Sequence, residues 1–130
     1  MTIPLWCLLV VAIIPYVLAG VGGYLRVRQL GSIDHHQPRL QATELRGVAA
    51  RAYAAQQNAW EGVVLFSAAI IVAHLAGADA SWSAVTAVAF VVTRVLHAAF
   101  YIADIPPLRT GVFVLGLLCC VSLFGLAIGA

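Results

Sequence analysis

Residues 3 to 25 run without a charged side chain, and that stretch constrains the chain more than any other. At about 1.5 Å of rise per residue, a helix of that length crosses a hydrocarbon core of roughly 30 Å. Three further apolar runs follow: Gly62 to Ala78 is uncharged, Ala80 to Ala103 is interrupted only by Arg94 and His97, and Thr110 to Ala130 is again uncharged. In lipid every backbone N–H and C=O must be paired within the protein, so open strands are excluded, and a barrel needs eight or more alternating segments. The expectation is an all-α integral membrane protein, one domain over residues 1–130, folded as a four-transmembrane-helix up-down bundle with helices near 3–27, 43–76, 82–103 and 106–129. Composition agrees, since 63% of the residues are hydrophobic, 9% are charged and the mean hydropathy is +1.01, outside the usual soluble balance.

The breaks between runs carry helix punctuation. Gly31 to Pro38 is polar and holds a proline, Gly77 to Ser83 offers Gly, Asp and Ser, and Pro106-Pro107 suits a first helical turn. Because the two later loops are short, consecutive helices are expected as antiparallel neighbours. A cleavable signal peptide is not expected: the first run lacks a basic n-region and is longer than an h-region, and Pro15, Tyr16 and Arg26 stand where small residues would mark cleavage. Pro15 and Gly20-Val21-Gly22-Gly23 read as a helix bend with close helix packing. Trp6, Trp60 and Trp82 read as interfacial anchors.

All seven cationic residues are arginine, and Arg26, Arg28, Arg39, Arg46 and Arg51 lie between the first span and the apolar part of the second. Arg109 falls in the third loop, whereas the loop around Asp79 and both termini have no basic residue. The positive-inside rule therefore places the first and third loops in the cytoplasm and both termini outside it. A net charge of +2 without a basic stripe interleaved with aromatics gives no argument for nucleic acid. Cys7, Cys119 and Cys120 lie inside spans, odd in number and without CxxC spacing, so they read as buried thiols. No metal site is expected: in Asp34-His35-His36 adjacent side chains diverge and no companion ligand stands at helical spacing, and His74 is alone on an apolar helix.

The polar residues inside the spans carry the functional argument. Arg51, Ala54, Asn58, Glu61 and Leu65 recur at i, i+3, i+7, i+10 and i+14, and Arg94, His97 and Tyr101 at i, i+3 and i+7, so each set occupies one helix face. Both faces reach toward the cytoplasmic end, and a charge at the bilayer centre costs roughly 2.5–3.5 kcal/mol, so they are expected to meet inside the bundle with Glu61 paired to Arg94. On one reading this pair and the hydrogen-bonding amides of Asn58 and Gln56 serve only as polar glue between helices. On the other, the surplus of arginine over carboxylate makes a site for a polar anion.

With Arg51, Asn58 and Glu61 spaced as R-x6-N-x2-E, DHHQPR ahead of the second span, and RVLHAAFYIADIPPLRT from Arg94 to Thr110, the sequence resembles the MAPEG family, membrane-associated proteins in eicosanoid and glutathione metabolism, and its bacterial branch in particular. The resemblance covers nearly the whole chain and implies a homotrimer in a bacterial inner membrane, with glutathione as co-substrate held between subunits near the cytoplasmic face. It implies glutathione-binding roles for Arg51, Asn58, Glu61, Arg94, His97 and Tyr101, and a catalytic role for Arg109, with Arg26 or Arg28 as the basic residue ending the first helix. Arg109 stands at a helix start, where backbone N–H groups also point toward an anion, and a guanidinium in a low-dielectric site favours a thiolate. The implied activity is glutathione transfer to, or peroxidase-type reduction of, a lipophilic small molecule arriving from the membrane lipid. A non-enzymatic structural or accessory membrane subunit is the alternative. Two positions depart from the eicosanoid-synthesising members: Ala54 stands where an arginine is common and His97 where a tyrosine is common. The interval from Tyr101 to Arg109 is also one residue longer.

Overall fold

A computed structural model covers residues 1–130 and is helical throughout, with helices α1 (Ile3–Leu30), α2 (Pro38–Gln41), α3 (Gly47–Ala76), α4 (Ala80–Ile102) and α5 (Pro106–Ile128). Four of them, α1, α3, α4 and α5, are long and apolar enough to cross a membrane. α3 is the central element, packed against α1, α4 and α5, while α4 also touches α1 and pairs with α5. Small residues allow these close approaches: Ala49, Ala52, Ala55, Ala59, Ala69 and Ala73 line the buried side of α3. In lipid, where apolar side chains gain nothing from leaving the solvent, such backbone proximity is what dispersion contacts need.

The helix ends follow local chemistry. The N–H of Gly31 closes α1 on Val27 O, and the N–H of Gly77 closes α3 on Ala73 O and His74 O. Asp79 caps α4 by accepting the Trp82 N–H at 2.8 Å. Pro106 and Pro107 open α5, where missing N–H groups cost no helical hydrogen bond.

Between α1 and α3 the chain departs from the expectation of one helix starting near Thr43. After α2 and a 3-10 turn over Ala42–Glu44, Leu45 and Arg46 are extended and Gly47 has φ +55, a left-handed conformation that favours glycine. The break is held by the Gln29 side chain, whose amide donates to Arg46 O at 3.2 Å and accepts from Arg46 N at 3.0 Å. Asp34 accepts the backbone N–H groups of His36 and Gln37, and Gln41 bridges Asp34 N and Ser32 O. The aspartate of the Asp34-His35-His36 stretch is thus committed to shaping a turn.

The core spans all four long helices. Cys7 and Val11 of α1, Phe66 and Ile70 of α3, Ala87 and Phe90 of α4, and Cys120 and Leu123 of α5 form one buried cluster. At its centre Phe66 and Phe90 stack with centroids 4.1 Å apart and planes 5° from parallel. Large apolar side chains such as Ile13, Val17, Val64, Leu75 and Val121 point outward, as a membrane environment allows. Trp6 and Trp82 are exposed near the starts of α1 and α4. Trp60 lies midway along α3, just ahead of its uncharged run, and meets Tyr16 edge-on at 5.1 Å.

Candidate functional site

Three helices bring polar side chains together on one flank of the bundle. α3 supplies Asn58, Glu61 and Gly62; α4 supplies Arg94, His97 and Tyr101; α5 supplies Arg109 and Phe113. They line two hollows. One, of about 110 Å³, lies among Asn58, Glu61, Gly62, Phe90, Arg94 and Phe113. The other, of about 230 Å³, lies among Asn58, His97, Tyr101, Arg109, Thr110 and Phe113. Asn58 and Phe113 border both, so the hollows adjoin along a furrow between α3 and α5 with α4 beneath.

Arg94 is the buried end of this furrow, only 5% exposed. Its guanidinium lies between Phe90 and Phe113, with its carbon 5.1 and 5.7 Å from the ring centroids. Room for it comes from two glycines. A β-carbon on Gly62 would stand 3.2 Å from Arg94 Cδ, and one on Gly116 would stand 2.5 Å from Arg94 Nη2 and 2.9 Å from Thr93 Oγ1. Thr93 cannot yield easily, because its hydroxyl donates to Phe90 O at 2.7 Å. Gly116→Ala is therefore expected to push the guanidinium out of its slot at a cost of about 1–3 kcal/mol, read as a lower unfolding midpoint in detergent.

The expected ion pair between Glu61 and Arg94 does not form. Glu61 is exposed, and Asn58 stands between the two: Arg94 Nη1 donates to Asn58 Oδ1 at 3.4 Å, and Asn58 Nδ2 donates to Glu61 Oε2 at 3.5 Å. Both contacts are long, so the chain is a weak tie. Arg94 Nε is buried with no partner. The physical reason is reach: α3 and α4 present these residues at a spacing that an amide fills and a direct carboxylate–guanidinium contact does not. The only ion pair in the chain is Arg51 with Asp104, at 3.5 Å.

Arg109 caps the second hollow, its guanidinium carbon 4.4 Å from the Tyr101 ring centroid. Tyr101 in turn meets His97 edge-on at 5.6 Å. The helix start adds less to an anion site than its position suggests. Pro106 and Pro107 have no N–H, and Arg109 N donates to Ile105 O, which leaves the N–H of Leu108 as the free backbone donor of that turn.

Arg26 and Arg28 are not brought to this furrow. Arg26 donates to Pro38 O at 3.1 Å and lines a separate hollow of about 180 Å³ with Gly22, Gly23, Ile33, Tyr53 and Gln56. Its Nε is buried without a partner. Arg28 is exposed and folds back on Tyr24, donating to its hydroxyl at 3.4 Å. Arg51 sits near the start of α3, where its guanidinium is engaged by the last carbonyl of α4 and by Asp104 of the α4–α5 connection.

Residues that sequence reasoning passed over complete the furrow: Gly62, Phe90, Phe113, Gly116 and, at the loop, Asp104. A signal was present for two of them, since Phe113 and Gly116 follow Arg109 at i+4 and i+7 and so share its helix face. No group of histidine, cysteine and carboxylate side chains is arranged to hold a metal ion.

A search of curated proteins returned no match to the chain. A model of the MAPEG family matches residues 3–129. With four membrane-length helices and a polar furrow built from the second, third and fourth of them, the chain is a multi-pass integral membrane protein that belongs to the MAPEG family.

Proposed function

We propose that the furrow binds glutathione and presents its thiolate to a lipophilic electrophile that enters from the bilayer. The observation that carries this reading is Arg94: a guanidinium buried beside a furrow with no carboxylate against it and one N–H unpaired, while a second guanidinium, that of Arg109, lines the adjoining hollow. A group so expensive to bury is retained where a guest of opposite charge completes it. The family's general association with glutathione supplies the candidate guest, a tripeptide with two carboxylates and a thiol.

The division of labour follows the geometry. Asn58, Glu61, Arg94, His97 and Tyr101 offer hydrogen-bond and charge partners to the peptide ends, and Arg109 stands half-buried beside Tyr101 in the wider hollow. A cysteine thiol has an unperturbed pKa of about 8.5, and each unit by which a guanidinium lowers it corresponds to about 1.4 kcal/mol favouring the nucleophilic thiolate. The sulfur would then attack an electrophilic carbon, forming a C–S bond as the electron pair of the bond it displaces departs with the leaving group or settles on the lipophile, the thiol proton having already passed to solvent. The furrow is shallow on its outer side, and Arg26 and Arg28 lie elsewhere in the same subunit, so the reading includes a homotrimer in which a neighbouring α1 brings its arginine to this furrow. It also includes cytoplasmic placement of the α1–α3 and α4–α5 connections, from their arginines.

The weak tie from Arg94 through Asn58 to Glu61 favours one other reading, a non-enzymatic membrane subunit whose polar residues only join helices. One experiment separates the two: a thiolate difference spectrum in the ultraviolet, recorded as glutathione is titrated into the detergent-solubilised protein at neutral pH, with Arg109→Ala alongside. The expected result is a saturable thiolate band that Arg109→Ala lacks while keeping its oligomeric state. Absence of saturable binding would sink the glutathione reading in favour of the accessory subunit.

A further inference from the structure

The α4–α5 connection is tied down from a third helix. α4 ends at Ile102 in a closed C-terminal turn, in which Asp104 N donates to Tyr101 O and Ile105 N to Phe100 O. Such a turn needs one residue with positive φ and normally recruits glycine for it. Here that residue is Asp104, at φ 61, the only non-glycine residue in the chain with positive φ. Its carboxylate meets Arg51 Nη1 at 3.5 Å, and Arg51 Nε donates to the Ile102 carbonyl at 3.1 Å, an oxygen that the end of α4 leaves without a helical donor. Arg51, on the second turn of α3, therefore holds both the last carbonyl of α4 and the side chain of the turn that follows. Three residues, Ala103 to Ile105, separate α4 from α5, and Arg109 lies one turn into α5 with its N–H bonded to Ile105 O.

We infer that Arg51 and Asp104 form a latch that sets where Arg109 stands over Tyr101, so that Arg51 is a positioning residue rather than a donor to the bound ligand. The inference rests on the glutathione reading for its functional consequence, while the latch itself does not. Two donor atoms of Arg51 are already occupied within its own chain, and its charge is matched by Asp104. The carboxylate also explains why the turn does without glycine: aspartate tolerates the left-handed conformation better than most residues and is the one that also supplies the partner.

The test uses Asp104→Gly, which keeps positive φ without strain and removes the carboxylate, together with Arg51→Gln and Arg51→Lys. Two readouts are taken on the solubilised full chain: hydrogen exchange of the amides from 103 to 109 without ligand, and the glutathione titration followed both as affinity and as thiolate yield. The latch predicts exchange faster by roughly fivefold in Asp104→Gly and Arg51→Gln, as expected for losing about 1 kcal/mol of local tethering, with Arg51→Lys in between. It also predicts that both variants lower the thiolate yield at neutral pH while affinity changes by no more than about twofold. Unchanged exchange in Asp104→Gly would overturn the latch. A large loss of affinity in Arg51→Gln, with Asp104→Gly like the parent in yield and affinity, would overturn the positioning role and make Arg51 a direct ligand donor. If the parent binds no glutathione, that reading fails separately, and the exchange data alone uphold or overturn the latch.

Discussion

Replacing Arg94 by methionine is expected to make the protein harder to unfold while removing most of its affinity for an anionic ligand. A central membrane charge costs roughly 2.5–3.5 kcal/mol, and Arg94 meets that cost inside the subunit without a counter-charge. Its one hydrogen bond, to Asn58, is 3.4 Å long, its Nε has no partner, and the rest comes from Phe90 and Phe113, at about 0.5–2 kcal/mol for each cation–π contact. Methionine fills a similar volume between Gly62 and Gly116 without a charge to desolvate, and such exchanges of buried ions for apolar groups are often neutral or stabilising by about 1–4 kcal/mol. A hydrogen bond to a charged group is worth about 1.5–3 kcal/mol, so glutathione affinity should fall roughly 10- to 100-fold. Thermal unfolding in detergent and equilibrium binding on the same preparation decide the matter. A methionine variant that unfolds more easily and binds as before would mean that Arg94 is a packing device and makes no contact with the bound anion.

Phe66→Ala is expected to carry the largest loss of stability of any single truncation in the chain. Phe66 has no exposed surface, and its ring lies flat on Phe90 at the junction of α3 and α4, within a cluster to which α1 and α5 contribute Val11, Cys120 and Leu123. Truncating a buried phenylalanine in a soluble core costs about 3–5 kcal/mol. In lipid the transfer part of that cost is reduced, because acyl chains are as apolar as the core, and the lost packing remains, so roughly 2–3 kcal/mol is expected here. The effect should reach the furrow, since Phe90 supports the Arg94 guanidinium from below. Phe66→Leu, which retains most of the volume, should cost under about 1.5 kcal/mol and leave ligand binding close to that of the parent. Unfolding midpoints for the two variants give the comparison. A cost below about 1 kcal/mol for alanine would mean that lipid or a neighbouring subunit fills the space.

The four spans could be read directly, because hydropathy is a sum of local terms and a bilayer imposes a length on it. The shared faces could be read as well: Arg94, His97 and Tyr101 do lie along one side of α4, and Asn58 and Glu61 along one side of α3, since helical period depends on nothing outside the helix. The start of the second span was less legible. Its residues from Thr43 have helical composition, yet a side chain 17 positions away, that of Gln29, holds Arg46 extended, and Gly47 turns the chain before α3 begins.

Sequence alone determined that this chain lies in a membrane as four helices, and that arginine and amide side chains gather toward one end of two of them. Only the tertiary structure decided who meets whom. Arg51 takes Asp104, a residue of the α4–α5 loop; Asn58 comes between Glu61 and Arg94; Gly62 and Gly116 make the slot for a guanidinium; and Arg26 and Arg109 fall in separate hollows of one subunit. These outcomes depend on the rotation and depth of each helix relative to its neighbours. Small residues and ring stacking across the bundle set both, to within an ångström that periodicity along one helix does not encode.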